Sequence, residues 1–257
     1  MPEWNPADRQ WMSRALTLAA RGLYTTEPNP RVGCVLVKGE QVVGEGWHVQ
    51  AGEGHAEVNA LAQAGEQARG ATAYVTLEPC SHVGKTPPCA DALIAAGVSR
   101  VVAAMQDPNP LVAGNGLQRL RDAGIEVTCG LLEEQARELN PGFIKRMQLG
   151  LPWVRVKLAM SLDGRTAMAS GESKWITGPA ARADVQRLRA RSGAVISGAD
   201  SVLLDDSALT VRASELGLSD EEASAAVQRQ PLRVLIDSLR RVPLEQRFFR
   251  EAGPTLV

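Results

Sequence analysis

The chain has 257 residues, 28 basic and 29 acidic, and 44% of its side chains are hydrophobic, enough for two domains with their own cores. Residues 1–148 carry 13 basic and 16 acidic groups and residues 149–257 carry 15 and 13, so neither half has the basic excess of a nucleic-acid binder. No basic stretch leads into an apolar one after Met1, and no segment approaches roughly 18 uninterrupted apolar residues, so the chain reads as cytoplasmic, with no leader and no membrane span.

The first helix opens at Asn5 and Pro6, turns Met12, Ala15, Leu16 and Ala19 onto one face, and ends at Gly22. Apolar runs at 32–37 and 41–47, joined by Lys38-Gly39-Glu40, read as a hairpin. A helix over 55–66, a strand over 72–77, a helix over 90–96 and a strand over 100–105 follow. The alternation goes on through a helix over 116–123, a strand over 125–129 and a helix over 133–147. This order predicts a three-layer αβα sandwich, ending at a linker at Gly150-Leu151-Pro152. A second α/β unit begins there, with strands at 154–159, 194–197 and 232–237 and a helix over 179–191. Residues 214–230 read as a polar helix or loop.

The chemistry concentrates in Gly54-His55-Ala56-Glu57, in Glu78-Pro79-Cys80, and in Cys89 at the start of a helix. Hydrolysis of an aminopyrimidine at neutral pH needs an activated water and a proton carrier. Zinc with three protein ligands serves the first need and an unligated carboxylate the second. In mid-helix, residues two apart point about 200° from each other, so His55 and Glu57 share a site only at a helix tip. The spacing therefore predicts His55, Cys80 and Cys89 as zinc ligands and Glu57 as the catalytic proton carrier. Cys34 and Cys129 lie in apolar strands and read as inert thiols. The pattern follows the known zinc-deaminase signature, except that eight residues rather than two separate the cysteines. That longer loop places His82 and Lys85 beside the pocket, which suits a phosphorylated substrate. A nucleoside, base or tRNA deaminase with an unrelated tail, or a zinc-stabilised module without catalysis, stays open on the motif alone.

Pro28-Asn29-Pro30-Arg31-Val32-Gly33, His55-Ala56-Glu57, the run 76–89 and Asp107-Pro108-Asn109-Pro110 resemble the bifunctional riboflavin-biosynthesis deaminase-reductases. The likeness continues through 157–165, 170–177 and 198–212. It implies a cytidine-deaminase-like three-layer domain over 1–148 and a dihydrofolate-reductase-like α/β domain over 152–257. The implied substrate is a diaminopyrimidinone bearing a phosphoribosylamino group. The first domain would remove its 2-amino group, and the second would use NADPH to reduce the ribosyl group to a ribityl chain. Carried over by motif, Asn29, His48, Lys85 and Asn109 would contact the deaminase substrate. Ala159, Trp175, Ser201, Asp205 and Ser238 would line the NADPH site, and Ser173, Arg189, Leu209 and Arg212 the reductase substrate site. No Gly-x-Gly-x-x-Gly follows a strand, so the residues themselves do not argue for a Rossmann cofactor site. Residues 251–256 resemble the family's late glycine loop but come too early for it. They read as a strand, and the second domain as stopping short, with reductase activity lost and apolar surface left that favours a homo-oligomer.

Overall fold

The computed structural model describes residues 4–82, 87–110 and 112–257. It divides into two compact units, Met1–Val154 and Arg155–Val257.

The first unit is built on a five-stranded sheet. Strands β1 (Gly33–Lys38) and β2 (Gln41–Trp47) form the expected hairpin. Strand β1 also pairs antiparallel with β3 (Thr72–Val75), which runs parallel to β4 (Arg100–Ala103) and, beyond it, β5 (Glu126–Cys129). The order is β2-β1-β3-β4-β5. Helices α1 (Pro6–Ala20), α5 (Glu133–Leu139) and α6 (Pro141–Leu149) cover one face through Met12, Ala15, Ala136 and Phe143. Helices α2 (Ala56–Ala64), α3 (Cys89–Ala96) and α4 (Asn115–Asp122) cover the other through Ala56, Ala60, Leu93 and Leu120. This is the predicted sandwich, closed by apolar burial on both faces.

Two details hold its layers in place. Asp8 of α1 is buried, where it accepts from the Tyr74 hydroxyl at 2.8 Å and from both Arg100 terminal nitrogens at 2.7 and 3.2 Å. Helix α2 lies directly on the backbone of β2: a Cβ on Gly44 would fall 2.3 Å from the Ala60 carbonyl oxygen, and one on Gly46 2.4 Å from that of Ala56.

The single helix expected over 133–147 is broken at Asn140, which leaves helical geometry at φ −126° and ψ 36°. Pro141 explains the break, because it has no N–H to continue the ladder and its ring disfavours helix at the residue before it. The Asn140 side chain is buried, accepting from Arg31 N–H at 2.8 Å and donating to Arg31 C=O at 2.9 Å.

In the second unit, strands β6 (Ala194–Gly198), β7 (Leu232–Ile236) and β8 (Thr255–Leu256) form a parallel sheet in that order. Residues 255–256 are thus strand, as expected of that segment. Helices α7 (Pro179–Ala190), α8 (Ala199–Asp205), α9 (Asp220–Val227) and α10 (Arg247–Arg250) complete the unit. A capping box between Ser219 and Glu222 starts α9 and decides the ambiguous stretch after 214 in favour of helix. Arg233 of β7 is fully buried, donating to the carbonyls of Ala208, Phe248, Glu251 and Gly253. On one face of this sheet Leu235 packs with Val202 and Phe248, while Ile196, Ile236 and Leu256 stand exposed on the other.

The strand expected over 154–159 is not formed. Val154, Val156 and Leu158 alternate as a strand should, yet all three are exposed and the segment joins no ladder among the described residues. Alternation supplies a face but no partner backbone, and an extended segment becomes a strand only by pairing.

Candidate metal centre

The site gathers at one end of the sheet in the first unit, where the N-termini of α2 and α3 meet the loops after β3 and β4. His55 is the extended N-cap of α2, and Glu57 sits in its first turn. Cys80 follows β3, and Cys89 is the first residue of α3. His55 Nδ1 lies 3.2 Å from Cys89 Sγ and 3.6 Å from Cys80 Sγ, and the three ligand atoms fall within 4.8 Å of one another. The helix-tip placement inferred from the spacing of His55 and Glu57 is the one observed.

The electrostatics of the cluster suit a cation. Cys80 is held well below the ordinary thiol range by the Cys89 S–H, with His55 and the Cys89 backbone N–H (3.3 Å) adding to it against burial. The same bond and burial keep the Cys89 proton on its sulfur. The pair therefore shares one proton as a unit. One imidazole and two thiols converging this closely form the donor set that zinc prefers, and three protein ligands leave a coordination position for chemistry. Glu57 is 3% exposed, and burial pushes its carboxyl up to about 7. A carboxyl poised there can both take and give a proton near neutrality.

A cavity of about 270 Å³ opens on the cluster, lined by Asn29, His48, His55, Glu57, Cys80 and Asn109 among others. Three of the four expected substrate contacts are thus brought together; Lys85 lies outside the described residues. His48 is buried with both ring nitrogens engaged, Nδ1 with Gly54 C=O at 3.1 Å and Nε2 with the Asn29 amide at 3.1 Å. The amide is the donor of the second pair, which makes Nε2 an acceptor and Nδ1–H the donor to Gly54. Burial lowers the His48 pKa and keeps that tautomer neutral. His48 so ties Asn29 to the residue before His55.

Among the lining residues to which the sequence assigns no role are Asp107, Glu78, Phe143 and Arg146. Asp107 belongs to the Asp107-Pro108-Asn109-Pro110 motif, and burial pushes its carboxyl up to about 6. Glu78 precedes Pro79-Cys80, and its partners lie 29 to 39 residues further on, out of reach of any local spacing rule. Phe143 and Arg146 come from α6, and Arg146 is the one Arg or Lys among the described lining residues, donating to Pro28 C=O at 3.3 Å.

In the second unit, Arg189, Leu209 and Arg212 lie together: Arg189 donates to Thr210 C=O at 3.3 Å, and Arg212 forks onto Glu215 at 2.5 and 2.7 Å. Ser173 reaches Asp205 at 3.4 Å. Ser201 lies in the first turn of α8, which follows β6, and Ser238 follows β7, so both stand beyond C-terminal ends of parallel strands, where α/β folds hold ligands. Trp175 is exposed beneath the Arg182 guanidinium, 4.5 Å from its ring centroid. Ala159 lies on the segment that joins no strand, and no described contact brings it to the others.

Residues 5–105 match the zinc-binding region of cytidine and deoxycytidylate deaminases, and residues 152–257 match the RibD C-terminal domain. The riboflavin biosynthesis protein RibD of Escherichia coli K12 is 61% identical over 252 residues, which cover 96% of this chain and 68% of that protein. RibD of Haemophilus influenzae is 59% identical over 255 residues, covering 99% and 68%. The structure of Acinetobacter baumannii RibD superposes with a TM-score of 0.89 at 57% identity, covering 97% of this chain and 69% of that one. A deaminase/reductase structure from Thermotoga maritima gives 0.85 at 40% identity over the same shares. An αβα sandwich carrying a His/Cys/Cys cluster at two helix tips, followed by a reductase-type α/β unit, defines a zinc-dependent deaminase joined to a reductase. The chain belongs to the RibD family of riboflavin biosynthesis proteins.

Proposed function

We propose that residues 1–148 form a deaminase domain acting on 2,5-diamino-6-(5-phosphoribosylamino)pyrimidin-4(3H)-one, and that residues 152–257 belong to the domain that reduces the deaminated product's ribosyl group with NADPH. The family acts in riboflavin biosynthesis. The observation that carries the reading is Glu57: a buried carboxyl against three converging metal ligands, and not itself one of them.

His55, Cys80 and Cys89 would hold the metal. Zinc, when bound, supplies the Lewis acid that makes water a competent nucleophile at neutral pH. Glu57 accepts the proton that the attacking water loses and passes it to the ring nitrogen next to the amino carbon. It then relays the second proton to the departing amine. Water's oxygen ends as the carbonyl oxygen, and ammonia leaves. Asn29 and Asn109 line the cavity as amides able to read the polar edge of the pyrimidine, with Asn29 oriented by His48. Arg146 and Lys85 are the cations we assign to the substrate phosphate.

No helix among the described residues is long and apolar enough to cross a membrane. We place the enzyme in the cytoplasm, acting on a small phosphorylated pyrimidine rather than nucleic acid. In the second unit, Ser173, Arg189, Leu209 and Arg212 are taken for the substrate, and Ala159, Trp175, Ser201, Asp205 and Ser238 for NADPH. The experiment is ammonia release from the phosphoribosylamino substrate by zinc-loaded protein, beside cytidine and guanine as controls. Turnover of a control at the same rate, with none of the substrate, would contradict the assignment.

A further inference from the structure

Glu78 is buried at 3% exposure, and main-chain amides engage both its carboxylate oxygens. Oε2 accepts from the N–H groups of Asp107 (3.1 Å) and Gly114 (2.9 Å), and Oε1 from those of Gly116 (2.8 Å) and Leu117 (3.2 Å). All four donors belong to one stretch of chain: the loop after β4, which carries Asp107 and Asn109 to the cavity, and the first turn of α4. The N-cap position of α4 is Gly114, which has no side chain to satisfy the helix's first amides, and Glu78 does so from across the fold. A second observation points the same way. A Cβ on Gly116 would lie 1.9 Å from the Pro79 carbonyl oxygen, so α4 is seated against the backbone between Glu78 and Cys80.

The segment bearing a metal ligand and the segment bearing the substrate-facing amide are thus joined through one carboxylate. We propose that Glu78 is a positioning residue for deamination: it fixes where Asp107 and Asn109 stand relative to Cys80 and Glu57. Pyrimidine binding then depends on Glu78, whereas metal capture and proton transfer do not. The proposal rests on the deaminase reading above, with Asn109 facing the substrate.

Glu78→Gln preserves the side chain's outline but leaves one oxygen for four N–H groups and turns an NH₂ toward two of them. The zinc-loaded full chain is the material, and kcat and KM are read from ammonia release, with zinc content measured on the same sample. Expected are stoichiometric zinc, kcat within about threefold of wild type, and KM raised on the order of tenfold. In an Asn109→Ala background the same substitution should change KM much less, since the loop then has no amide left to misplace. A variant whose kcat falls with its folded fraction at unchanged KM, or whose KM effect is the same with and without Asn109, overturns the proposal. Wild-type protein that holds zinc yet releases no ammonia overturns the deaminase reading and the proposal with it. If Glu78→Gln does not fold, hydrogen exchange of the wild-type chain decides. The amides of Gly114, Gly116 and Leu117 should be strongly protected despite their place at a helix start, and rapid exchange there overturns the proposal.

Discussion

Replacing Glu57 by glutamine would remove the proton carrier proposed for deamination while keeping the outline of the cavity. The carboxyl is 3% exposed in the first turn of α2 and is not one of the three clustered ligands, so the substitution should leave zinc binding intact. What it removes is the transfer of two protons, one from the attacking water to the ring and one to the departing amine. A single positioned acid or base contributes about 10²- to 10⁴-fold. Because Glu57 is asked to serve at both steps, the upper end applies: kcat should fall by about 10⁴, or roughly 5.4 kcal/mol at 1.36 kcal/mol per decade. KM should move little, since the lost interaction belongs to the transition state. Ammonia release under saturating substrate gives kcat, and metal analysis of the same sample gives zinc. Loss of one zinc per chain would make Glu57 a ligand, and a kcat within tenfold of wild type would place the proton carrier elsewhere; either result refutes the mechanism.

Removing zinc with a chelator should abolish ammonia release reversibly while far-UV circular dichroism persists, because the sandwich is closed by Met12, Leu36, Leu93 and Leu120 rather than by the ligands; collapse of the fold would make the metal structural. Arg146→Ala should raise KM about threefold to tenfold for the phosphorylated substrate and leave a dephosphorylated analogue unchanged, the modest size reflecting an exposed cation; equal effects on both would remove Arg146 from the phosphate. Burial pushes the Asp8 carboxyl up, but the bonds from Arg100 and Tyr74 and the Arg100 charge outweigh it and hold the group below its usual 3.8. Its stabilisation is therefore present above about pH 4 and lost as pH falls through the lowered value. Arg100→Met should cost about 3 kcal/mol in urea unfolding at pH 7 and less at pH 3.5, where Asp8 protonates in the variant; a deficit independent of pH would show that Arg100 acts through packing.

Much of this protein is legible in its sequence, and the parts that are not share a cause. The hairpin at Lys38-Gly39-Glu40, the capped start at Asn5 and the helix-tip placement of His55 and Glu57 follow from residues within a few positions of one another. Pro141 is an equally local signal and marks the break in the helix predicted over 133–147, although apolar positions recur on both sides of it. Segment 154–159 shows the limit of periodicity, which reports a face and says nothing about a neighbouring strand. Glu78 shows another limit, since its role is written in amide groups that every residue has, and no side-chain pattern betrays which of them it will meet. Arg146 enters the cavity from a helix more than fifty positions past the second cysteine, with no motif to announce it.

The bare backbone of β2 at Gly44 and Gly46 has a consequence for the metal centre. Gly44 and Gly46 leave no room between strand and helix, so they act as a gauge that sets the height of α2 above the sheet. His55 and Glu57 ride on the tip of that helix, while Cys80 is carried by the loop after β3 and Cys89 by a different helix. One methyl group at Gly46 would have to lift or tilt α2, and the imidazole and the carboxyl would move together relative to the sulfur atoms of Cys80 and Cys89. The tolerance of the centre is thus set where the helix meets the strand, by two positions outside the cavity lining. A search for residues that control zinc affinity confined to the cavity wall would pass over both.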